Sequence, residues 1–212
     1  MTLPKIYPIT DARISGISHA AQVQRLVDGG ARVIQIREKT ITADTFYDDV
    51  GEAIRIAHSA GARIIINDRV DIAIALGADG VHLGQDDLPP DEARKMLGDK
   101  AIIGFSTHSI EQARAAVQLP IDYIAFGPIF RTDSKIDTEP SVGLEMLRRV
   151  RSEIGSMPLV AIGGINAGNL RLVLDAGADS AAMIGAILSS PDGITRKMAD
   201  FHHLASESLL NK

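Results

Sequence analysis

The chain has 212 residues, 45% of them hydrophobic and 23% charged, which suits one well-cored domain over residues 1–212 and is short for two. A formal net charge of -5 gives no overall basic field, so nucleic acid held by bulk electrostatics is disfavoured and any anion needs a local site. Cysteine is absent, which excludes disulfides, thiolate metal ligands and cysteine nucleophiles and suits a reducing compartment.

The first residues, "MTLPKIYPITDAR", have no long apolar core behind a basic start, and no later apolar run is long enough to span a bilayer. The expectation is a cytoplasmic protein with no membrane partner. A strand is expected at Ile6–Ile9, then at Val33–Ile36, whose alternation runs into the charges Arg37, Glu38 and Lys39. Further strands are expected at Arg63–Ile66, Gly80–Leu83, Ala101–Gly104, Tyr123–Phe126, Leu159–Ile162 and Ser180–Ile184. Amphipathic windows such as Ala43–Ala60, Glu111–Gln118, Gly143–Ile154 and Asn166–Ala176 separate them. A junction recurs in "GGARVIQIR", "AGARIIIND", "LGADGVHLG" and "AGADSAAMIG": a glycine that ends a helix, then alanine, a polar residue and an apolar strand.

Buried strands alternating with helices imply a parallel sheet. Eight of them point to an α/β fold, a single (β/α)8 TIM barrel with its site at the C-terminal ends of the strands; an open doubly wound sheet is the alternative. The longest stretch with neither signal is "RTDSKIDTEPSV", Arg131 to Val142, a length that usually marks a functional loop.

Under that geometry the residues after each apolar run share one rim. Asp68 and Asp87 close neighbouring strands and suit a hard cation such as magnesium, unless Asp68 only caps a helix and Asp87 only belongs to the "DDLPP" turn. Gln35, Arg37 and Lys39 share one alternation phase and, with Lys135, form a clamp for a pyrophosphate, unless the segment is a solvated turn. Glu38 is out of phase and is left to solvent or to a neighbouring charge. "AIGGIN" and "MIGAI" end strands seven and eight with glycines that let backbone N–H groups approach a phosphate, or that serve tight turns alone. Ser106 and His108 in "GFSTHS" have no orienting acid and no nucleophile elbow, so they are read as substrate-binding or capping groups rather than a hydrolase pair. His82 is read as an inward packing residue with one hydrogen bond, and the His202-His203 pair as surface.

"YPITD" (Tyr7–Asp11), "QIREK" (Gln35–Lys39), "INDRVDIAI" (Ile66–Ile74), "LGADGVHLGQDDLP" (Leu76–Pro89), "GFSTHS", "FGPIFRTDSK" (Phe126–Lys135) and "VAIGGI" (Val160–Ile165) occur in that order. Together they resemble the thiamine phosphate synthase family, with the thiazole tautomerases as relatives. The resemblance implies a transferase that couples hydroxymethylpyrimidine diphosphate to a thiazole phosphate, releasing pyrophosphate, with Mg2+ as cofactor. It implies that Gln35, Arg37, Lys39, Asn67, Ser106 and Lys135 bind the pyrimidine diphosphate, with Arg37, Lys39, Ser106 and Lys135 catalytic. Asp68 and Asp87 would hold magnesium, and Thr132, Ser134, Gly164, Ile184 and Gly185 would bind the thiazole phosphate. This chain departs from the family pattern at Gly185, where a hydroxyl residue is usual, at Ser134, where threonine is common, and at Arg131, where proline is frequent. The alternatives are a thiazole tautomerase using His108 and a non-catalytic thiazole-phosphate-binding regulator. The expected partners are the two small-molecule substrates; the oligomeric state, a homo-oligomer included, is left open.

Overall fold

The computed structural model describes residues 2–38, 42–132 and 140–207. Its eight strands are β1 (Ile6–Thr10), β2 (Val33–Ile36), β3 (Arg63–Asn67), β4 (Gly80–Leu83), β5 (Ile102–Thr107), β6 (Tyr123–Phe126), β7 (Leu159–Ile162) and β8 (Ser180–Met183). Each pairs in parallel with the next, and β8 returns to β1 through Ile6↔Ala181, Tyr7↔Ala182 and Pro8↔Met183, which closes the barrel. The open-sheet alternative is thereby excluded.

The helices are α1 (Ala12–Ser15), α2 (His19–Asp28), α3 (Ala43–Ser59), α4 (Val70–Leu76), α5 (Pro90–Leu97), α6 (Ile110–Ala116), α7 (Gly143–Ile154), α8 (Leu170–Asp175), α9 (Gly185–Leu188) and α10 (Ile194–Glu207). The starts of α2 and α6 follow from local chemistry. Ser18 and Ser109 accept from the backbone N–H groups of Ala21 and Gln112, each at 3.2 Å, and so satisfy donors that α2 and α6 leave open. Val23, Leu26 and Val27 then place an apolar stripe of α2 against the barrel. No helix among the described residues is long and apolar enough to cross a membrane.

Several boundaries differ from the sequence reading, most by one or two residues, and three of the differences have a visible cause or bear on the site. β5 runs past Gly104 because its ladder with β6 continues through Ser106↔Ala125 and Thr107↔Phe126, so Ser106 stands on the strand and not after it. The helix expected from Asn166 starts at Leu170. Before it, Asn169 Oδ1 accepts the Asn166 N–H at 2.8 Å and Asn166 Oδ1 accepts the Gly168 N–H at 2.9 Å, a local competition that asparagine offers against helix. β8 stops at Met183, and Ile184 becomes the residue that precedes α9.

The recurring junction has a physical purpose at the N-terminal end of the barrel. Gly30, Gly61, Gly77 and Gly177 all have positive φ, from 66° to 105°, and the polar residue that follows ties two strands. Asp79, Asp122 and Asp179, which precede β4, β6 and β8, each turn Oδ2 to the backbone N–H that opens the strand before: Ile64 at 2.8 Å, Ile103 at 2.8 Å and Leu159 at 2.9 Å. The same aspartates donate their own N–H to the carbonyls of those residues. A basic side chain from the helix that enters the tied strand completes each clasp: His58 at 2.9 Å on Asp79, Arg94 at 2.8 Å on Asp122 and Arg151 at 2.8 Å on Asp179. Before β2 the position is Arg32, which donates to the Ala60 carbonyl instead. Near it His202 is half-buried against Gly30 while His203 is exposed, so the surface reading holds for only one of the pair. Burial, with a smaller push from Arg32, holds the His202 imidazole below its usual pKa.

Removing one of these carboxylates leaves a strand-opening N–H without its acceptor. Asp79→Ala and Asp122→Ala are expected to lower unfolding free energy by about 1–2 kcal/mol each. Asp179, the more exposed, is expected to matter less. Urea denaturation checks the order, and any enzymatic activity of the folded variants should stay near wild type because this face lies opposite the strand C-termini.

Candidate active site

At the C-terminal ends of the strands two cavities open side by side. The inner one, about 40 Å³, is lined by Tyr7, Gln35, Arg37, Asn67, His82, Ser106 and Tyr123 together with apolar residues of β6, β7 and β8. The outer one, about 290 Å³, is lined by His108, Thr132, Gly163, Gly164, Ile184, Gly185 and their neighbours. Ser106 lines both. The residues expected on the pyrimidine diphosphate and those expected on the thiazole phosphate are therefore brought together in separate but touching hollows, as far as they are described. Lys39, Ser134 and Lys135 lie outside the described residues, as does most of the stretch from Arg131 to Val142.

A chain of hydrogen bonds forms the floor of the inner cavity. The Tyr7 and Tyr123 hydroxyls are 2.8 Å apart, the Tyr123 hydroxyl is 3.0 Å from His82 Nδ1, and His82 Nε2 is 2.8 Å from Ser106 Oγ. The Gln35 side chain, itself buried, lies beside both tyrosines and lines the same cavity. His82 is thus more than a packing residue with one bond: both ring nitrogens are engaged, and its ring stacks on Tyr123 with centroids 5.5 Å apart. Gly104 makes room for this arrangement, since a Cβ there would sit 2.0 Å from the Tyr123 ring and 2.5 Å from His82 Nδ1. Burial pushes the acid dissociation of both phenols far up, so Tyr7 and Tyr123 stay neutral and serve as hydrogen-bonding groups.

The charged residues are fixed around this floor. Arg37 Nη1 donates to Asp11 Oδ2 at 3.1 Å, and Asp11 is itself held: its Oδ1 accepts the Ile14 N–H and its N–H reaches Gln22. Glu38 turns the other way and is not left to solvent; its side chain is 7% exposed and meets the buried His19 Nε2 at 3.1 Å. The sequence reading left Glu38 to solvent or to a neighbouring charge; the structure gives it a buried imidazole.

Asp68 lies just past β3, with its N–H on the His82 carbonyl at 2.9 Å. Asp87 folds back so that Oδ2 accepts the Gly84 N–H at 2.7 Å. The Asp68 backbone and the Asp87 carboxylate are thus both tied to residues 82–84 of β4 and its loop, at one part of the rim. The turn role of Asp87 is real, but Asp68 is not the capping position of α4, which is Arg69. Asp68 also has φ +62°, the left-handed region that non-glycine residues rarely occupy. Aspartate carboxylates are hard oxygen donors of the kind magnesium takes, and that ion needs few protein ligands. Among the described residues no group of three or more His, Cys, Asp or Glu is placed to hold a metal.

In the outer cavity Gly163 and Gly164 have φ of 104° and 62°. A Cβ on Gly164 would come within 2.4 Å of the Arg131 carbonyl, so only glycine lets this turn pass beneath the segment after β6. His108 Nδ1 is 2.7 Å from the Gly127 carbonyl. A carbonyl only accepts, so Nδ1 carries the proton and Nε2 is the basic nitrogen.

Sequence reasoning missed Tyr7, Tyr123, Asp11 and Gln85, whose Nε2 donates to the Ser106 carbonyl at 2.6 Å. The tyrosines sit inside apolar strands and read as core. The available signal was their scarcity: the chain has three tyrosines, and two fall at inward positions of strands.

Fold and site define a (β/α)8 barrel enzyme whose C-terminal rim pairs a polar, cation-bearing hollow with a glycine-lined one. The chain belongs to the thiamine monophosphate synthase family, whose model matches residues 6–187. It is 42% identical over 189 residues to the thiamine-phosphate synthase of Chloroflexus aurantiacus, covering 89% of this chain and 87% of that protein. Over 188 residues it is 46% identical to that of Pelotomaculum thermopropionicum, covering 88% of this chain and 86% of that one. Among solved structures, a thiamine phosphate pyrophosphorylase from Pyrococcus furiosus superposes with a TM-score of 0.86 at 34% identity, covering 97% of this chain and 96% of that one.

The tyrosine pair gives an alkaline signature. Both phenols have a folded pKa raised above the ordinary 10.0, so their contribution to stability is complete below about pH 10 and is lost as pH rises beyond it, by ~1.4 kcal/mol per pH unit for each. Tyr123→Phe is expected to make the decline in unfolding free energy between about pH 10 and 11 shallower by about that slope, measured by urea denaturation across the range.

Proposed function

We propose that this enzyme couples hydroxymethylpyrimidine diphosphate to a thiazole phosphate, forming thiamine phosphate and releasing pyrophosphate. The observation that carries the reading is the pair of touching cavities, one lined by Gln35, Arg37, Asn67 and Ser106 and the other by Thr132, Gly164, Ile184 and Gly185. Family membership gives the reaction class, and the names of the relatives give the product.

The chemistry follows from the substrate. An electron-rich aminopyrimidine stabilises positive charge on its exocyclic methylene carbon, so the C–O bond to the diphosphate breaks with its electron pair going to the leaving oxygen. The thiazole nitrogen lone pair then forms the C–N bond, and no protein nucleophile is needed. Arg37, steadied by Asp11, offers its remaining N–H donors to the oxygens on which negative charge grows. Asn67 and Ser106 donate to the same group, and Lys39 and Lys135 join them by family resemblance. Asp68 and Asp87 would hold Mg2+, which when bound would neutralise diphosphate charge. Gln35, on the buried floor, orients the pyrimidine ring. The backbone at Gly164 and Gly185 receives the thiazole phosphate, with Thr132 and Ser134 adding hydroxyls; at Gly185 backbone N–H replaces the hydroxyl usual in the family.

A thiazole tautomerase is the second reading, favoured by the basic Nε2 of His108 beside the outer cavity. One assay separates the two. Purified protein with both substrates and magnesium is expected to release pyrophosphate and thiamine phosphate in equal amounts, and no product would sink the synthase reading. Change of the thiazole substrate alone, without magnesium, would favour the tautomerase, and retention without any turnover would favour a binding protein. The double variant Asp68→Ala, Asp87→Ala is expected to lose at least ~100-fold in kcat/KM; undiminished turnover would remove the metal role.

A further inference from the structure

Glu38 presents a problem of charge. It follows Arg37 directly at the rim where the diphosphate is proposed to lie, and a carboxylate facing that group would oppose the cations that hold it. Strand alternation sends the two side chains apart. Arg37 lines the inner cavity, while Glu38 goes beneath α2 to His19, whose side chain is 0% exposed. The Glu38 carboxylate can only accept, so His19 Nε2 carries a proton. Nδ1 of the same ring is 2.8 Å from Thr10 Oγ1, and Thr10 ends β1 in register with Ile36, the residue before Arg37.

His19 is itself held on every side. Its backbone N–H donates to Asp49 Oδ2 at 2.7 Å, the Ala20 N–H donates to Asp49 Oδ1 at 2.9 Å, and the ring packs edge-on against Phe46 with centroids 5.8 Å apart. Burying a carboxylate and an imidazole in a site that apolar side chains would fill at least as well gains little stability. What it supplies is direction, because hydrogen bonds fix angles that packing leaves loose.

We propose that Thr10, His19 and Glu38 form a buried hydrogen-bonded chain that positions Arg37 on the diphosphate. Asp11 steadies the guanidinium directly, and the chain steadies the backbone behind it. These are positioning residues, since none of them lines either cavity. The role of the diphosphate rests on the proposed function; the placement of the chain does not.

The test uses the full-length protein. Calorimetry with inorganic pyrophosphate and magnesium is expected to show Glu38→Ala and His19→Leu binding about tenfold more weakly than wild type, ~1.4 kcal/mol. The same variants should raise KM for the pyrimidine diphosphate by a similar factor and move KM for the thiazole phosphate by less than about twofold, a split that general damage would not produce. Glu38→Gln, which keeps an oxygen for His19, should recover most of the lost affinity. Unchanged pyrophosphate binding, equal movement of both KM values, or a glutamine variant no better than alanine would overturn the proposal. If Glu38→Ala does not fold, Thr10→Val removes a single hydroxyl from the chain and decides by the same readouts, with a loss of several-fold expected. A wild type that binds pyrophosphate but makes no thiamine phosphate defeats the proposed function alone, whereas a wild type that binds no pyrophosphate defeats the positioning role as well.

Discussion

Closure of the sheet between β1 and β8 is the constraint on which the rest depends. Once Tyr7 is paired with Ala182, the sheet has no edge, and every inward side chain faces others across a space that water does not freely enter. Apolar side chains fill most of that space. Of the exceptions, His82, Tyr7 and Tyr123 satisfy one another beside Gln35 and avoid the cost of about 1–3 kcal/mol for an unpaired polar group, whereas the buried Ser180 hydroxyl on β8 has no partner among the described residues. The resulting chain is at once the top layer of the core and the floor of the inner cavity. Its rigidity is a consequence of closure, and the cavity inherits it.

The two ends of the barrel use aspartate in opposite ways. At the N-terminal end Asp79, Asp122 and Asp179 are spent on strand-opening N–H groups and on basic side chains from the helices that enter those strands, which is where stability is built in such folds. At the C-terminal end Asp68 takes a backbone conformation that costs of order 1 kcal/mol or more, and Asp87 folds back onto its own loop. Strain kept beside a polar hollow is the pattern expected where geometry at a site outweighs local comfort. Composition alone separates neither set, since both are aspartates next to strands; what separates them is which end of the strand they flank.

Much of this was legible in the sequence because parallel barrels read in a simple period. Eight apolar runs and the recurring glycine junctions predicted the architecture, and the rule that chemistry gathers at strand C-termini brought Gln35, Arg37, Asn67, Ser106, Thr132 and Gly164 to one face. Legibility failed where a residue's role depends on something distant. Tyr7 and Tyr123 are 116 positions apart, and alternation says that they point inward but not that their hydroxyls meet. Glu38 is out of phase with Arg37, which was visible, yet its partner His19 lies on a helix whose rotation the pattern does not set to within one side chain. The boundary at Asn166 failed for a different reason: the apolar period was present, and asparagine side chains took the backbone groups that a helix would have used.

Ser106 joins these threads. It belongs to β5 rather than to a loop, because the ladder with β6 extends past it, and so its hydroxyl is placed by main-chain geometry as well as by His82. It is also common to both cavities. In the proposed reaction the bond to be made joins a carbon of the ligand in the inner hollow to a nitrogen of the ligand in the outer one, so the reacting atoms must meet where the hollows touch. A side chain held there from below by His82, Tyr123 and Tyr7, and with its carbonyl held by Gln85, has little freedom to follow a substrate. The substrates must conform to it, and that is the condition under which a hydroxyl contributes to orientation at a transition state rather than to binding alone.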